Sequence, residues 1–250
     1  MRIIVNADDL GISESVNDSI FQAMQRRVVT SATMLANGPC VEEAARRTKE
    51  FPNCSFGVHL NLTEFAPMCV ESHRDLKSIL GENNCFNGNS IREVSLTPAL
   101  LRAVFREWCH QIESLIRLKV ELSHFDAHHH VHTIPQMIPV LVALRRRYKI
   151  PKIRISRNMY HNGEHPSQTL LVKKRAFNSI LRAVGFRTTG LFTDLETFLQ
   201  VCGMRPPAER SAELMTHPGS SPHDTEAGLL ESYWPSRLPY EVALISYKNL

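Results

Sequence analysis

Short apolar runs and amphipathic stretches alternate along the whole chain. Residues 2–6 (RIIVN), 28–35, 55–62 (SFGVHLNL), 121–125, 152–156, 211–216 and 242–247 predict strands, the first of them rich in β-branched residues. Between the first two, Val16, Ile20, Phe21 and Met24 share one helical face, with Ser13 placed to cap it and the helix running to about Arg26. Similar spacing predicts helices over 41–50, 97–118, 134–148, 170–184 and 194–201, and Pro98 suits the first turn of the long one. Two stretches break the pattern. Residues 63–96 and 219–239 carry scattered Gly, Asn, Ser and Pro and predict irregular active-side loops. No compositional break and no internal repeat divides the chain, so residues 1–250 predict a single domain. Strand–helix alternation implies parallel strands joined by crossover helices. About seven such units predict a TIM-like α/β barrel, with an open doubly wound sheet as the alternative.

The polar positions sharpen this picture. Asp8 and Asp9 follow the first strand, His59 lies late in the third, and Phe125–His132 (FDAHHHVH) continues the fourth. His217 ends a later strand. In a parallel barrel these positions share the C-terminal face, where active sites form. Singly, each has an ordinary explanation: a core histidine, a turn after a strand, a solvated polar cluster. Together, Asp9, His59 and one histidine of the cluster would supply a carboxylate and two imidazoles, leaving coordination positions open as catalytic metal sites do. The ion would polarise a carbonyl and lower the pKa of a water. Asp8 would then stand as general base and His217 as general acid. Successive residues point different ways, so at most two of His128, His129, His130 and His132 can face one ion. Asp126, two residues before His128, could orient an imidazole.

Composition narrows the class. Hydrophobic content of 43% and charged content of 22% fit a soluble globular protein of 250 residues. A net charge of +4 does not imply a nucleic-acid partner, and Arg145–Arg147 reads as a basic helix C-terminus. The six cysteines form no C-x-x-C pair and fit free thiols in a reducing compartment. The short apolar run at the N-terminus ends in two aspartates, unlike a signal peptide. No run approaches the roughly 18 apolar residues of a membrane span. A cytoplasmic enzyme with no nucleic-acid or membrane partner is the expectation.

Five motifs occur in order along the chain: IVNADDLG at Ile4–Gly11, VTSATMLANG at Val29–Gly38, GVHLNLT at Gly57–Thr63, FDAHHHVH at Phe125–His132, and ELMTHPG at Glu213–Gly219. In these the sequence resembles the YdjC-like carbohydrate deacetylases, the chitooligosaccharide deacetylase type. The resemblance implies a distorted TIM-like barrel and removal of an acetyl group from N-acetylated sugars or short oligosaccharides. It implies Asp9, His59 and His128 as ligands of a divalent ion, Mg²⁺ or Zn²⁺, with Asp8 as base and His217 as acid. Arg154 and Arg157 fall near the family's arginine after the fifth strand and become substrate contacts, with His132 a further candidate. A homodimer is also implied. The short stretch PSRLPYEVA before the last strand departs from the family pattern and predicts a reduced or missing last helix, and Leu10 stands where many relatives carry Phe.

Two other functions fit parts of the pattern. A metal-dependent phosphoesterase would favour two ions about 3.5–4 Å apart, and one ligand set is evident. A non-catalytic sugar-binding protein on the same fold would need neither Asp8 nor His217. With two tryptophans and 7% aromatic residues, an extended aromatic sugar platform is not expected, which points to a substrate of one or two rings.

Overall fold

In the computed structural model, which describes residues 1–220 and 224–250, β1 (Arg2–Leu10) lies at the centre of the sheet. It pairs in parallel with β2 (Ser31–Met34) on one side and β6 (Ser211–Thr216) on the other. The order across the sheet is β4-β3-β2-β1-β6-β5, with β3 at Ser55–Leu60, β4 at Leu122–Ala127 and β5 at Leu191–Asp194. Residues 151–158 join the two edges. The Phe125 amide donates to Lys152 O and the Arg154 amide to Phe125 O, both at 3.0 Å. On the other side the amides of Ile153 and Asn158 reach Arg187 O and Phe192 O, at 3.1 and 3.2 Å. The chain is an α/β barrel, distorted because this stave makes only isolated bridges at Lys152 and Ile153.

The strand predicted over 152–156 is thus largely absent as a ladder. Pro151 has no amide proton to give. At the other end, the Asn178 side chain takes both the N–H and the C=O of Ser156, at 2.8 and 3.0 Å, where a strand partner would stand. The four-residue β5 escaped the sequence pattern. Asp194, read there as the start of a helix, ends β5 and caps α7 (Leu195–Cys202) by accepting the Thr197 amide at 2.7 Å.

Helices cover the outside. These are α1 (Glu14–Gln25), α2 (Val41–Arg47), the single turn α3 (His73–Leu76), α4 (Pro98–Arg117), α5 (Ile138–Tyr148) and α6 (Gln168–Ala183), followed by α7. Ser13 and Thr97 cap α1 and α4, as their spacing predicts. Ile3, Val5 and Ala7 of β1 pack with Val16, Ile20, Phe21 and Met24 of α1 in the apolar shell between sheet and helices. The expected loop 63–96 is more ordered than predicted: Leu76, Ile79, Phe86 and Ile91 are buried in the same shell. Its apolar residues follow no single period, so no element was legible. The expected loop 219–239 contains α8 (Asp224–Glu231) and α9 (Trp234–Arg237), while residues 221–223 lie outside the described ones. These two helices precede β7 (Ala243–Leu244), so the reduction of the last helix read from PSRLPYEVA is only partial. Among the described residues no helix is long and apolar enough to cross a membrane.

Most inward positions are polar, Ile4 and Phe192 apart, in contrast to the branched apolar layers usual in such barrels. Side chains alternate along a strand, and the alternate set reads Asn6 and Asp8 on β1, Ser31 and Thr33 on β2, Ser55, Gly57 and His59 on β3, and His124 and Asp126 on β4, with Glu213 on β6. All are buried. Gly57 leaves room inside the barrel for the His124 ring, which a Cβ there would meet at 2.6 Å. Outside the strands, Gly38 lets the loops after β1 and β2 touch, since a Cβ would lie 2.4 Å from Gly11 O.

Candidate active site

The C-terminal mouth of the barrel opens on a cavity of about 480 Å³ lined by Asp8, Asp9, His59, Glu64, His128 and His217, among others. Strict alternation would send Asp8 and Asp9 to opposite faces of β1. The strand instead breaks register between Ala7 and Leu10, and Asp9 adopts a left-handed backbone with φ of 67°. Such a bulge re-aims a side chain next to a site, and Asp tolerates this region better than most residues. Both carboxylates therefore face the cavity.

Three atoms converge there. Asp9 Oδ1 lies 2.8 Å from His128 Nδ1 and 3.2 Å from His59 Nε2, and the two nitrogens are 3.3 Å apart. Ligands about 2.0–2.1 Å from one ion, at tetrahedral or octahedral angles, lie about 2.8–3.4 Å from each other. Despite these approaches Asp9 Oδ1 is buried without a hydrogen bond of good geometry. The carboxylate oxygen and the two ring nitrogens thus crowd within 3.3 Å of one another, the spacing of ligands around one ion. The set thus fits a divalent cation, with two imidazoles and one carboxylate and with sides left open to the cavity.

The surroundings fix this triad. β3 and β4 place His59 directly opposite Asp126, whose Oδ1 takes the His59 Nδ1 proton at 2.7 Å. That bond makes Nε2 the nitrogen whose lone pair would face a cation beside Asp9. The imidazole that Asp126 orients is thus His59. Thr33 holds the other Asp126 oxygen at 2.9 Å, which accounts for a polar residue in the middle of β2. Burial opposes an imidazolium at His59, but Asp126 and Asp9 outweigh it and raise the group to about 10. The carboxylates therefore demand positive charge at this point, which a cation would supply.

Asp8 sits behind the triad. Its two oxygens accept Arg154 Nη1 and Nη2, each at 2.7 Å, and Asn6 Nδ2 adds a bond at 2.9 Å. Burial alone would raise this carboxyl, but the Arg154 guanidinium holds it well below the usual carboxylate range. Arg154, expected as a substrate contact, is itself fully buried beneath Asp8. It also meets Asp126 at 2.8 Å and Glu213 at 2.7 Å, and it lies 4.7 Å from the centre of the Phe192 ring. Arg157 is not among the cavity residues; Glu164 binds it at two points of 2.8 Å and Asp194 at 3.0 Å.

The histidine cluster separates in space. After His128 the chain makes two left-handed steps, at His129 and His130 with φ of 49° and 55°. His129 turns to the rim, where its Nδ1 meets Thr63 Oγ1 at 3.0 Å. His130 lines the cavity half-buried, and loss of water around its ring lowers it to about 3 and keeps it neutral. His132, a substrate candidate in the sequence, is fully buried, with its Nε2 3.2 Å from Arg154 O. His217 arrives from the end of β6 into the cavity, and its backbone N–H donates to the Glu226 carboxylate of α8.

Glu64 was not singled out in the sequence. Asn61 and Asn37 hold its backbone carbonyl at 2.8 and 3.2 Å, and its carboxylate faces His128 Nε2 at 3.5 Å. Two asparagines in motifs flanking a loop were the available signal. Glu213 and Tyr247 were also missed as part of the interior.

Fold and site together define an α/β barrel with a carboxylate–diimidazole cluster at its C-terminal mouth that could hold a metal ion. The chain belongs to the YdjC-like protein family, whose model matches residues 2–237. A carbohydrate deacetylase of Geobacillus stearothermophilus is 40% identical over 148 residues, 59% of this chain and 57% of the relative. One of Oceanobacillus iheyensis is 35% identical over 152 residues, 60% of this chain and 64% of the relative. The match therefore spans about three fifths of these relatives' own length. A solved structure from Enterococcus faecalis, provisionally described as a cellobiose-phosphate cleavage protein, superposes with a TM-score of 0.77 at 26% identity, covering 99% of this chain and 98% of the other. A lactam utilization protein from Thermus thermophilus, at 13% identity and a TM-score of 0.50 over 97% of this chain and 99% of its own, shares the fold alone.

Proposed function

We propose that this chain is a metal-dependent carbohydrate N-deacetylase, hydrolysing the acetamide of N-acetylated sugars or short oligosaccharides. The carrying observation is the convergence of Asp9, His59 and His128 on one point, beside Asp8 and facing the His217 side of the same cavity. The carbohydrate deacetylases among its relatives support the substrate class. A divalent ion held by Asp9, His59 and His128 would polarise the amide carbonyl and acidify a water. Two imidazoles favour Zn²⁺ over Mg²⁺ on affinity.

The chain's own groups move the protons. Asp8 is held ionised by Arg154, so it is available as acceptor for the proton of the attacking water. The same clamp makes it a weak base, and the acidity of the water has to compensate. His217 donates to the departing nitrogen, because an amine leaves readily only once protonated. Glu64 and His129 edge the cavity and are available to sugar hydroxyls. The six free cysteines suit a reducing compartment, and we assign the chain to the cytoplasm.

The test is acetate release from N-acetylated mono-, di- and oligosaccharides, with Zn²⁺, Mg²⁺, Mn²⁺ or Co²⁺ supplied and bound metal verified by elemental analysis. Release from short substrates is expected. No acetate from any sugar by metal-loaded protein would overturn the proposal.

A further inference from the structure

The last residues of the chain enter the barrel from the end opposite the cavity. Tyr247 is fully buried. Its amide donates to Ser31 and Ser55 Oγ at 3.2 and 2.9 Å, and its ring stacks on His124 with centroids 3.6 Å apart. Lys152 Nζ donates to the carbonyls of Tyr247 and Lys248. The tail is thus tied to β2, β3, β4 and the 151–158 stave.

From the Tyr247 hydroxyl a continuous polar path leads to the mouth. The hydroxyl donates to Glu213. Glu213 accepts Arg154 Nε at 2.7 Å, which fixes the plane of the guanidinium. Arg154 then binds Asp8 at two points and Asp126 at one, and Asp126 carries His59. A second path runs from the stacked His124 through Asn6 to Asp8, at 3.2 and 2.9 Å. A plug serving only to fill the barrel would be better built from apolar side chains, since buried ionic groups are often neutral or unfavourable for stability. Here a fully buried phenol is bonded to the carboxylate that holds Arg154 Nε.

We infer that Tyr247 is a positioning residue for the deacetylase site: through Glu213 it sets the Arg154 plane, and thereby the placement of Asp8 and of the Asp126–His59 pair. This rests on the deacetylase reading for its kinetic consequence and on the ligand triad alone for its metal consequence.

Tyr247→Phe keeps the ring and its stack but removes the donor. In the 250-residue chain it should weaken Zn²⁺ binding severalfold, measured by competition with a chromophoric chelator. It should also lower kcat for acetate release at least fivefold, with KM within twofold and the thermal midpoint within a few degrees. Because the effect passes through Glu213, Tyr247→Phe combined with Glu213→Gln should be no worse than Glu213→Gln alone. Unchanged Zn²⁺ affinity and kcat in Tyr247→Phe, or losses that multiply in the double variant, would overturn the inference. Should Tyr247→Phe fold poorly, Lys152→Met loosens the tail at its carbonyls only, and the same two readouts apply to it. If no sugar is a substrate, the deacetylase reading fails, while the Zn²⁺ measurements still decide the role of Tyr247.

Discussion

Asp126 Oδ1 accepts the Nδ1 proton of His59 at 2.7 Å, across two strands that hold the residues directly opposite each other. The pair fixes both the tautomer and the direction of the imidazole, so on the proposed reading it would govern how firmly a cation is held. Asp126→Asn should lower Zn²⁺ affinity about 10–100-fold while leaving the chain folded. Chelator competition measures it, and unchanged affinity would remove Asp126 from the site's support.

The histidine cluster offers an internal control. His128 contributes Nδ1 to the triad, whereas His129 contacts Thr63 on the rim. His128→Ala should lose stoichiometric Zn²⁺, and His129→Ala should keep it. Elemental analysis of the two dialysed proteins separates them; equal loss in both would mean the ligand set is drawn wrongly.

Asp8 is bonded to Arg154 and not to the converging atoms. Asp8→Asn should therefore retain bound metal and lose about 10²-fold or more in acetate release, the scale of a lost general base. Loss of metal in that variant would move Asp8 into the ligand set.

Glu226 carries a pH signature. Burial raises it from an ordinary 4.5 to about 7, where it accepts the His217 amide. Between those values the folded state holds more protons than the unfolded one, so stability falls as pH rises from about 4.5 to 7 and then levels. The term amounts to up to about 3 kcal/mol. Glu226→Gln keeps an acceptor for the amide and should flatten that slope, raising the melting temperature at pH 7.5 more than at pH 4.5. Parallel melting curves across the range for both proteins would discount it.

Gly57 tests the interior. A methyl group there would press on the His124 ring at 2.6 Å. Gly57→Ala should destabilise by about 1–3 kcal/mol, as overpacked sites do, and His124→Ala in the same chain should relieve part of the loss. Denaturant titration gives both numbers; an additive pair of losses would mean the contact does not matter.

Much of the site was legible because its residues interrupt apolar strands. Asp9, His59, His128 and His217 stand out as polar groups at strand ends, and the sheet brings them to one mouth. Arg154 read as a substrate contact only through the family resemblance; closure of the barrel shows its side chain turned inward to three carboxylates. Glu64 lay hidden in a loop whose shape depends on Asn37 and Asn61 side chains. The interior hydrogen bonds join residues as far apart as Asn6 and His124, which no local periodicity can reveal.

Arg154 also bears on how the chain folds. Its carboxylate partners stand at positions 8, 126 and 213, so their charges meet only after β1, β4 and β6 are all in place. A barrel missing β6 would bury a guanidinium with part of its counter-charge absent, an arrangement that costs several kcal/mol. Incomplete rings are thereby penalised, and closure becomes an all-or-none event set by contacts distant in sequence. Slow, cooperative folding is the kinetic companion of such a topology.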